Sequence, residues 1–113
     1  MDMIIELLNH RDPLRILLTL YQRGGLRFGR IQTLLDLNPA QVDRALKFLS
    51  KRLWIKGHPL PGQARRQTEY RIGKRGAALA EAFTVFAADI REKEKKFDQT
   101  EIAEFQRFYQ PTL

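Results

Sequence analysis

Gln41, Asp43, Arg44 and Lys47 stand within one stretch, NPAQVDRALKFLSKR at residues 38–52. Between them they offer an amide that donates and accepts, a carboxylate that accepts, a guanidinium fork and an ammonium. Such a set matches the edges of nucleobases: Gln41 against adenine, Arg44 against guanine, Asp43 against the amino group of cytosine. Asp43 has a competing use, because it can pair with Lys47 four residues on or favour the positive end of a helix. A second grouping is electrostatic. The chain carries a net charge of +7, and residues 51–76 hold eight basic residues against the single Glu69, so the excess is concentrated there. Clustered Lys and Arg attract a polyanion and release its counterions.

Other chemistries find little support. With no cysteine, thiolate zinc sites and cysteine nucleophiles are excluded, and His10 and His58 are the only imidazoles. A metal-built site is not expected, and no cofactor. No nucleophile stands with a base, no Gly-rich phosphate loop is present, and no carboxylate pair sits in an apolar setting, so binding rather than catalysis is expected. The 113 residues suffice for one compact core. No apolar run reaches membrane-spanning length, and MDMIIELLNHRD has acids where a signal peptide needs basic residues, so a cytoplasmic protein without a membrane partner is expected.

The elements that must position these residues follow from periodicity. MIIELL at 3–8 predicts a short helix or strand that needs a partner surface. Asp12-Pro13 predicts a helix start, with Asp as N-cap and Pro at the first helical position. Leu14, Leu17, Leu18 and Tyr21 then form an apolar stripe widened by Ile16 and Leu20, ended by Gly24-Gly25. A second helix runs through FGRIQTLLDL with Ile31, Leu34 and Leu35 inward, and Asn38-Pro39 starts a third. In that third helix Val42, Ala45, Leu46 and Leu49 point inward, leaving Ala40, Gln41, Asp43, Arg44 and Lys47 largely outward. Two short helices joined so tightly form a helix-turn-helix. In LWIKGHPLPGQARRQTEYRI, two Pro and two Gly between 57 and 62 mark a long hairpin loop, and Thr68, Tyr70 and Ile72 alternate with Gln67, Glu69 and Arg71 on its return arm. Trp54, at the start of the hairpin, reads as core. From Lys74 the chain is helical, with Leu79, Phe83, Phe86, Ile90 and Phe97 as a seam, a break near 98, and a last helix through Ile102, Phe105, Phe108 and Tyr109. The run REKEKK at 91–96 reads as an exposed face with intrahelical ion pairs.

The succession LRILLTLYQRGGLRFGRIQTLLDLNPAQVDRALKFLSKRLWI, followed by RRQTEYRIGKRGAALAEA, resembles the winged helix-turn-helix transcription regulators of bacteria and archaea, of the MarR, ArsR and PadR kind. The resemblance covers roughly residues 12–82. Two departures stand out: Asp36 occupies a turn position often held by Gly, and the thiolate metal sensing of part of the arsenic-repressor group has no cysteine to use. The resemblance implies a mainly α fold with a small β-hairpin wing and C-terminal dimerisation helices: a single domain over 1–113, a winged-helix DNA-binding core over 12–76, and dimerisation elements at 1–11 and 77–113. It implies that helix 38–52 lies in the major groove of double-stranded DNA and that wing 56–70 meets the minor groove or backbone.

On that reading the DNA-binding residues are Arg30, Pro39, Ala40, Gln41, Asp43, Arg44, Lys47, Lys51, Lys56, Arg65 and Arg66. Arg65 and Arg66 grip the minor groove or phosphate, and Lys51, Arg52 and Arg30 add phosphate contacts without sequence preference. The aromatics beyond residue 77 exceed what a small three-helix core covers, which predicts a homodimer through Ile4, Leu7, Leu8, Phe83, Phe86, Ile90, Phe97, Ile102, Phe105 and Phe108. A small-molecule effector is possible in such families, but no residue identifies one. The alternatives are a winged helix used for protein association and a nonspecific chromatin-type binder.

Overall fold

The computed structural model describes residues 2–62 and 67–96, and beyond them Glu101, Glu104 and Arg107. Arg65, Arg66, Phe97, Ile102, Phe105, Phe108, Tyr109 and the expected helix break near 98 therefore lie outside the described residues. The chain divides into two compact units, Met1–Glu81 and Ala82–Leu113. In order, the elements are α1 (Asp2–Leu8), α2 (Arg11–Arg23), β1 (Leu26–Arg27), α3 (Phe28–Leu35), α4 (Pro39–Lys51), β2 (Ile55–Pro59), β3 (Thr68–Ile72) and α5 (Lys74–Glu94).

The first unit is built around the apolar faces of its helices. Ile16, Leu17 and Leu20 of α2, Ile31 of α3, and Val42, Ala45, Leu46 and Leu49 of α4 are buried together with Trp54 and Ile55. Each fully buried Leu or Ile contributes about 1.5–3 kcal/mol relative to exposure, so these residues dominate the unit's stability. The centre of the α2 stripe is displaced from its expected place: Leu14 and Leu18 are half-buried and Tyr21 is exposed, while Ile16 and Leu20 are the buried pair. That rotation arises because α2 packs against both α1 and α4.

Leu7 is also wholly buried in this core. The short helix α1 thereby finds the partner surface it needs inside its own chain. This corrects the assignment of Leu7 to a dimer interface, since a side chain with no exposed surface has none left to offer a second copy. Ile4 and Leu8 remain exposed on the other side of α1.

The start of α2 also departs from expectation. The helix begins at Arg11, and its N-cap is His10, whose backbone is extended and whose side chain makes no capping bond. His10 is held instead by its Nδ1 against the Glu6 carbonyl oxygen at 2.7 Å and by its ring against Phe48, with centroids 4.6 Å apart. Pro13 sits within the first turn, where backbone N–H groups lack helical partners, so its missing donor costs nothing. At the other end Gly24, with φ of 86°, donates its N–H to the Leu20 carbonyl at 2.9 Å and stops the helix.

Between α3 and α4 the turn is Asp36-Leu37-Asn38. Asp36 adopts φ 53° and ψ 51°, the left-handed conformation that the resemblance associates with Gly at this position. Asp tolerates that region better than most residues because its short polar side chain interacts locally. Leu37 is buried, and Arg15 of α2 donates to the Leu35 carbonyl at 3.1 Å, satisfying an unpaired acceptor at the end of α3. Asp36→Gly is therefore expected to leave the thermal midpoint unchanged or raise it by a few degrees, whereas Asp36→Val should cost roughly 1–2 kcal/mol. Thermal unfolding of the two variants checks this, and equal midpoints would rule out the strained turn.

The sheet has the order β1-β3-β2, with both pairings antiparallel. β2 runs through Gly57 and His58 to Pro59, paired with Tyr70, Glu69 and Thr68, so the hairpin arms are longer and the loop shorter than the Pro/Gly spacing suggested. Pro59 is accommodated because β2 is an edge strand, where the absent N–H breaks no ladder bond. The Leu60 N–H still bonds the Gln67 carbonyl at 2.8 Å beyond it. β1, too short for a periodic signal, pairs Leu26 with Tyr70 and Arg27 with Glu69. This pairing, with the Arg71 Nε bond to Glu69 at 2.6 Å, explains why Glu69 is half-buried rather than exposed as strict alternation required.

In the second unit, the helical residues from Ala82 expose Val85, Phe86 and Ile90. Lys93 pairs with Asp89 at 3.0 Å and Lys95 with Glu92 at 3.8 Å, as the charge pattern of this face suggested.

Candidate nucleic-acid interface

Helix α4 presents its polar face from a fixed N-terminus. Asn38 Oδ1 accepts the Gln41 N–H at 2.8 Å, and Gln41 Oε1 accepts the Asn38 N–H at 2.9 Å, a closed capping box with Pro39 at the first helical position. Pro39, Ala40, Asp43, Arg44, Lys47 and Lys51 are exposed along the helix, opposite the buried Val42, Ala45, Leu46 and Leu49. The sequence thus placed the outward face of this helix well, save for one member. Gln41 is half-buried and its carbonyl oxygen is engaged in the cap, so the side chain is not poised for two-point pairing with adenine. Asp43 is paired with Lys47 at 2.9 Å, the alternative use that its spacing allowed.

The turn between α1 and α2 flanks this face. Asn9, His10, Arg11, Asp12 and Pro13 meet Gln41, Arg44, Ala45 and Phe48 around an open groove of about 490 Å³, which Arg11 and Arg44 both line. Periodicity and charge clustering do not single out Arg11, because it lies outside the basic segment and the α4 residues that line this groove with it are distant in the chain. A local signal existed nonetheless: a cation in the first turn opposes the helix dipole, so an arginine there gains nothing from the helix itself. Arg30 shows the same feature in the first turn of α3. It lines an open groove of about 700 Å³ with Arg27, which donates to Gln67 Oε1 at 2.5 Å.

Lys56 is exposed on β2 opposite Arg71, while His58 faces Glu69 across the hairpin. Arg65 and Arg66 lie outside the described residues. Arg52 takes a different role from the phosphate contact expected of it. Its guanidinium stacks 3.8 Å over the Phe48 ring, donates to the Phe48 carbonyl at 3.2 Å and forms a two-point pair with the Glu6 carboxylate, the Nη2–Oε2 arm being 3.3 Å. This pair ties α1 to the end of α4.

The Arg52 hydrogen bond holds the Glu6 carboxyl below its ordinary value of 4.5, against the opposing effect of burial and with help from the charges of Arg52 and His10. A depressed carboxyl stabilises the fold above the unfolded value and loses that contribution as pH falls through the folded one. Glu6→Gln is accordingly expected to melt below the native chain at neutral pH, with the difference closing as pH drops below the ordinary carboxylate range. Melting curves across acid pH test this; a constant difference would remove the pair from the acid dependence.

Together, the tight α3–α4 turn, the capped exposed helix and the antiparallel wing define a winged helix-turn-helix fold, the fold of MarR-type regulators as the resemblance implied. The structure is similar to the transcriptional regulator homologue protein from Pyrococcus horikoshii OT3, with 22% identity over 82% of this chain and 97% of that one and a TM-score of 0.64. It is similar also to the reduced form of the transcriptional regulator YodB from B. subtilis, at 22% identity, 78% and 85% coverage and a TM-score of 0.67. A mutant form of MarR from E. coli matches at 17% identity, 85% and 71% coverage and a TM-score of 0.65. No family model matches the chain, and no curated protein does. What these proteins share with the chain is the fold. Among the described residues no helix is long and apolar enough to cross a membrane.

Proposed function

We propose that this protein binds double-stranded DNA in a sequence-dependent way as a homodimeric transcriptional regulator acting in the cytoplasm, on the nucleoid, with α4 in the major groove and wing 56–70 on the minor groove or backbone. The observation that carries the reading is the exposed face of α4, with Arg44 offered from a capped helix inside a fold whose solved examples include transcriptional regulators. Arg30, Lys51, Lys56 and Arg11 supply phosphate contacts from four different elements, and Arg65 and Arg66 of the basic segment join them. Exposed Ile4 and Leu8 on one unit, and Phe86 and Ile90 with half-buried Phe83 on the other, offer apolar area for pairing two copies. Such a dimer would address half-sites about one helical turn apart. The protein's work on this reading is binding, not catalysis.

Binding of the full chain to random and genomic duplex fragments across a salt series tests the proposal. Affinity should fall steeply with salt, and the double change Lys51→Ala, Lys56→Ala should weaken binding to every fragment alike and flatten the slope by about two. Sedimentation of the chain alone should give a dimer. If no fragment binds better than random DNA, the regulator reading fails; if none binds at moderate salt, a protein partner becomes the better candidate.

A further inference from the structure

Four polar side chains of α4 are candidates for contacting bases, and the structure engages three of them elsewhere. Gln41 uses its carbonyl oxygen to accept the Asn38 N–H at 2.9 Å, which is half of what two-point pairing with adenine requires. Asp43 and Lys47 neutralise one another at 2.9 Å. Arg44 is different: it is exposed, and among the described residues no hydrogen bond or ion pair holds its guanidinium. Ala40, also exposed, lies one helical turn earlier on the same face.

We infer that, within the DNA-binding reading, the base preference of α4 resides in Arg44 and Ala40, and that Gln41 is a positioning residue acting through Asn38. The guanidinium fork fits the O6 and N7 acceptors of guanine, and the Ala40 methyl fits the C5 methyl of thymine. Four residues of helix rise about 6 Å, so the two bases lie within about two base-pair steps of each other. Arg44 has no internal ion pair to break before it meets a base, unlike Asp43 and Lys47. Gln41 keeps the first turn of α4 wound, and so presents Ala40 and Arg44 in one fixed geometry.

Selection of bound duplexes from a random library by the native chain and by Arg44→Ala, Ala40→Gly and Gln41→Glu separates these roles, with thermal melting of each variant alongside. Gln41→Glu preserves the acceptor of the capping box and removes the amide donor, so it retains the cap and abolishes any base contact by that amide. Arg44→Ala is expected to lower preference for guanine at one position of each half-site about tenfold, and Ala40→Gly to weaken the thymine preference nearby. Gln41→Glu should melt like the native chain and keep every base preference, binding all duplexes more weakly because a carboxylate is brought near phosphate. A base preference erased by Gln41→Glu, or a guanine preference that survives Arg44→Ala, overturns the assignment while leaving DNA binding intact. Absence of any preference in the native chain overturns the DNA-binding reading together with it.

Discussion

Replacing Gly76 by Ala is expected to lower the thermal midpoint by on the order of 10 °C, although alanine is the better helix former. Gly76 is buried in the first turn of α5. A Cβ there would run into the carbonyl oxygen of Trp54 and approach Ile72 Cγ1 at 2.9 Å and Leu17 Cδ1 at 3.0 Å. The Trp54 carbonyl cannot easily retreat, because it accepts the Gly73 N–H at 3.0 Å and belongs to the turn that leads into β2. Helix propensity favours Ala by about 1 kcal/mol, while overpacking against rigid backbone costs about 1–3 kcal/mol and on occasion more. So close an approach to a fixed backbone oxygen falls at the upper end of that range, so the clash wins by roughly 2 kcal/mol, which in a unit of this size moves the midpoint by on the order of 10 °C. Gly29→Ala is the control. Its Cβ meets nothing within 4 Å, so the same substitution in α3 should stabilise by about 0.5–1 kcal/mol. Calorimetry of the two variants decides the matter, and a Gly76→Ala chain that melts at or above the native midpoint would mean α5 does not approach Trp54 so closely.

The helical pattern from Lys74 onward was legible in the sequence, but the close approach of Gly76 to Trp54 was not, because it depends on packing between elements. Local signals carried well wherever the chain's own neighbours decide the outcome: Asn38-Pro39 begins α4, Gly24 ends α2, and Val42, Ala45, Leu46 and Leu49 form the buried face. Trp54 was placed in the core and is there. What failed to show was set by contacts distant in the chain. β1 is two residues long and exists because β3 lies beside it. His10 becomes the cap of α2 because Phe48 and Glu6 hold it, which no reading of Asp12-Pro13 could reveal. In the candidate site the same division holds. The exposed face of α4 follows from its period, whereas the use of Gln41 in the cap, and the placement of Arg11 on the same groove as Arg44, depend on rotamer and packing. Arg52 shows the hazard of reading function from charge alone: its basic segment suggested phosphate, and its neighbours Glu6 and Phe48 give it a structural task.

Trp54→Ala is expected to have the largest effect of any substitution considered, about 4 kcal/mol, enough to unfold much of the chain at moderate temperature. Trp54 is the largest fully buried side chain, only 1% exposed, and its backbone N–H also closes the end of α4 on the Leu49 carbonyl at 3.0 Å. Truncation leaves a cavity where α2, α4, β2 and the start of α5 converge. Trp54→Phe should behave quite differently. The indole Nε1 is buried and has no hydrogen-bond partner among the described residues, and an unsatisfied buried donor costs about 1–3 kcal/mol. Phenylalanine removes that donor while keeping most of the apolar volume, so the two changes offset and the net cost should be about 1 kcal/mol. The Arg75 guanidinium lies 4.2 Å over the Trp54 ring, and a phenyl ring supports that contact less well. Arg75→Ala should consequently cost less in the Trp54→Phe background than in the native one, a coupling measurable in a double-mutant cycle. As the only tryptophan in the chain, Trp54 also reports on its own surroundings through its fluorescence. Native emission should be that of a dry indole and shift to the red in one step with unfolding. If Trp54→Phe destabilises as severely as Trp54→Ala, the indole N–H has a partner in solution and its removal offsets nothing.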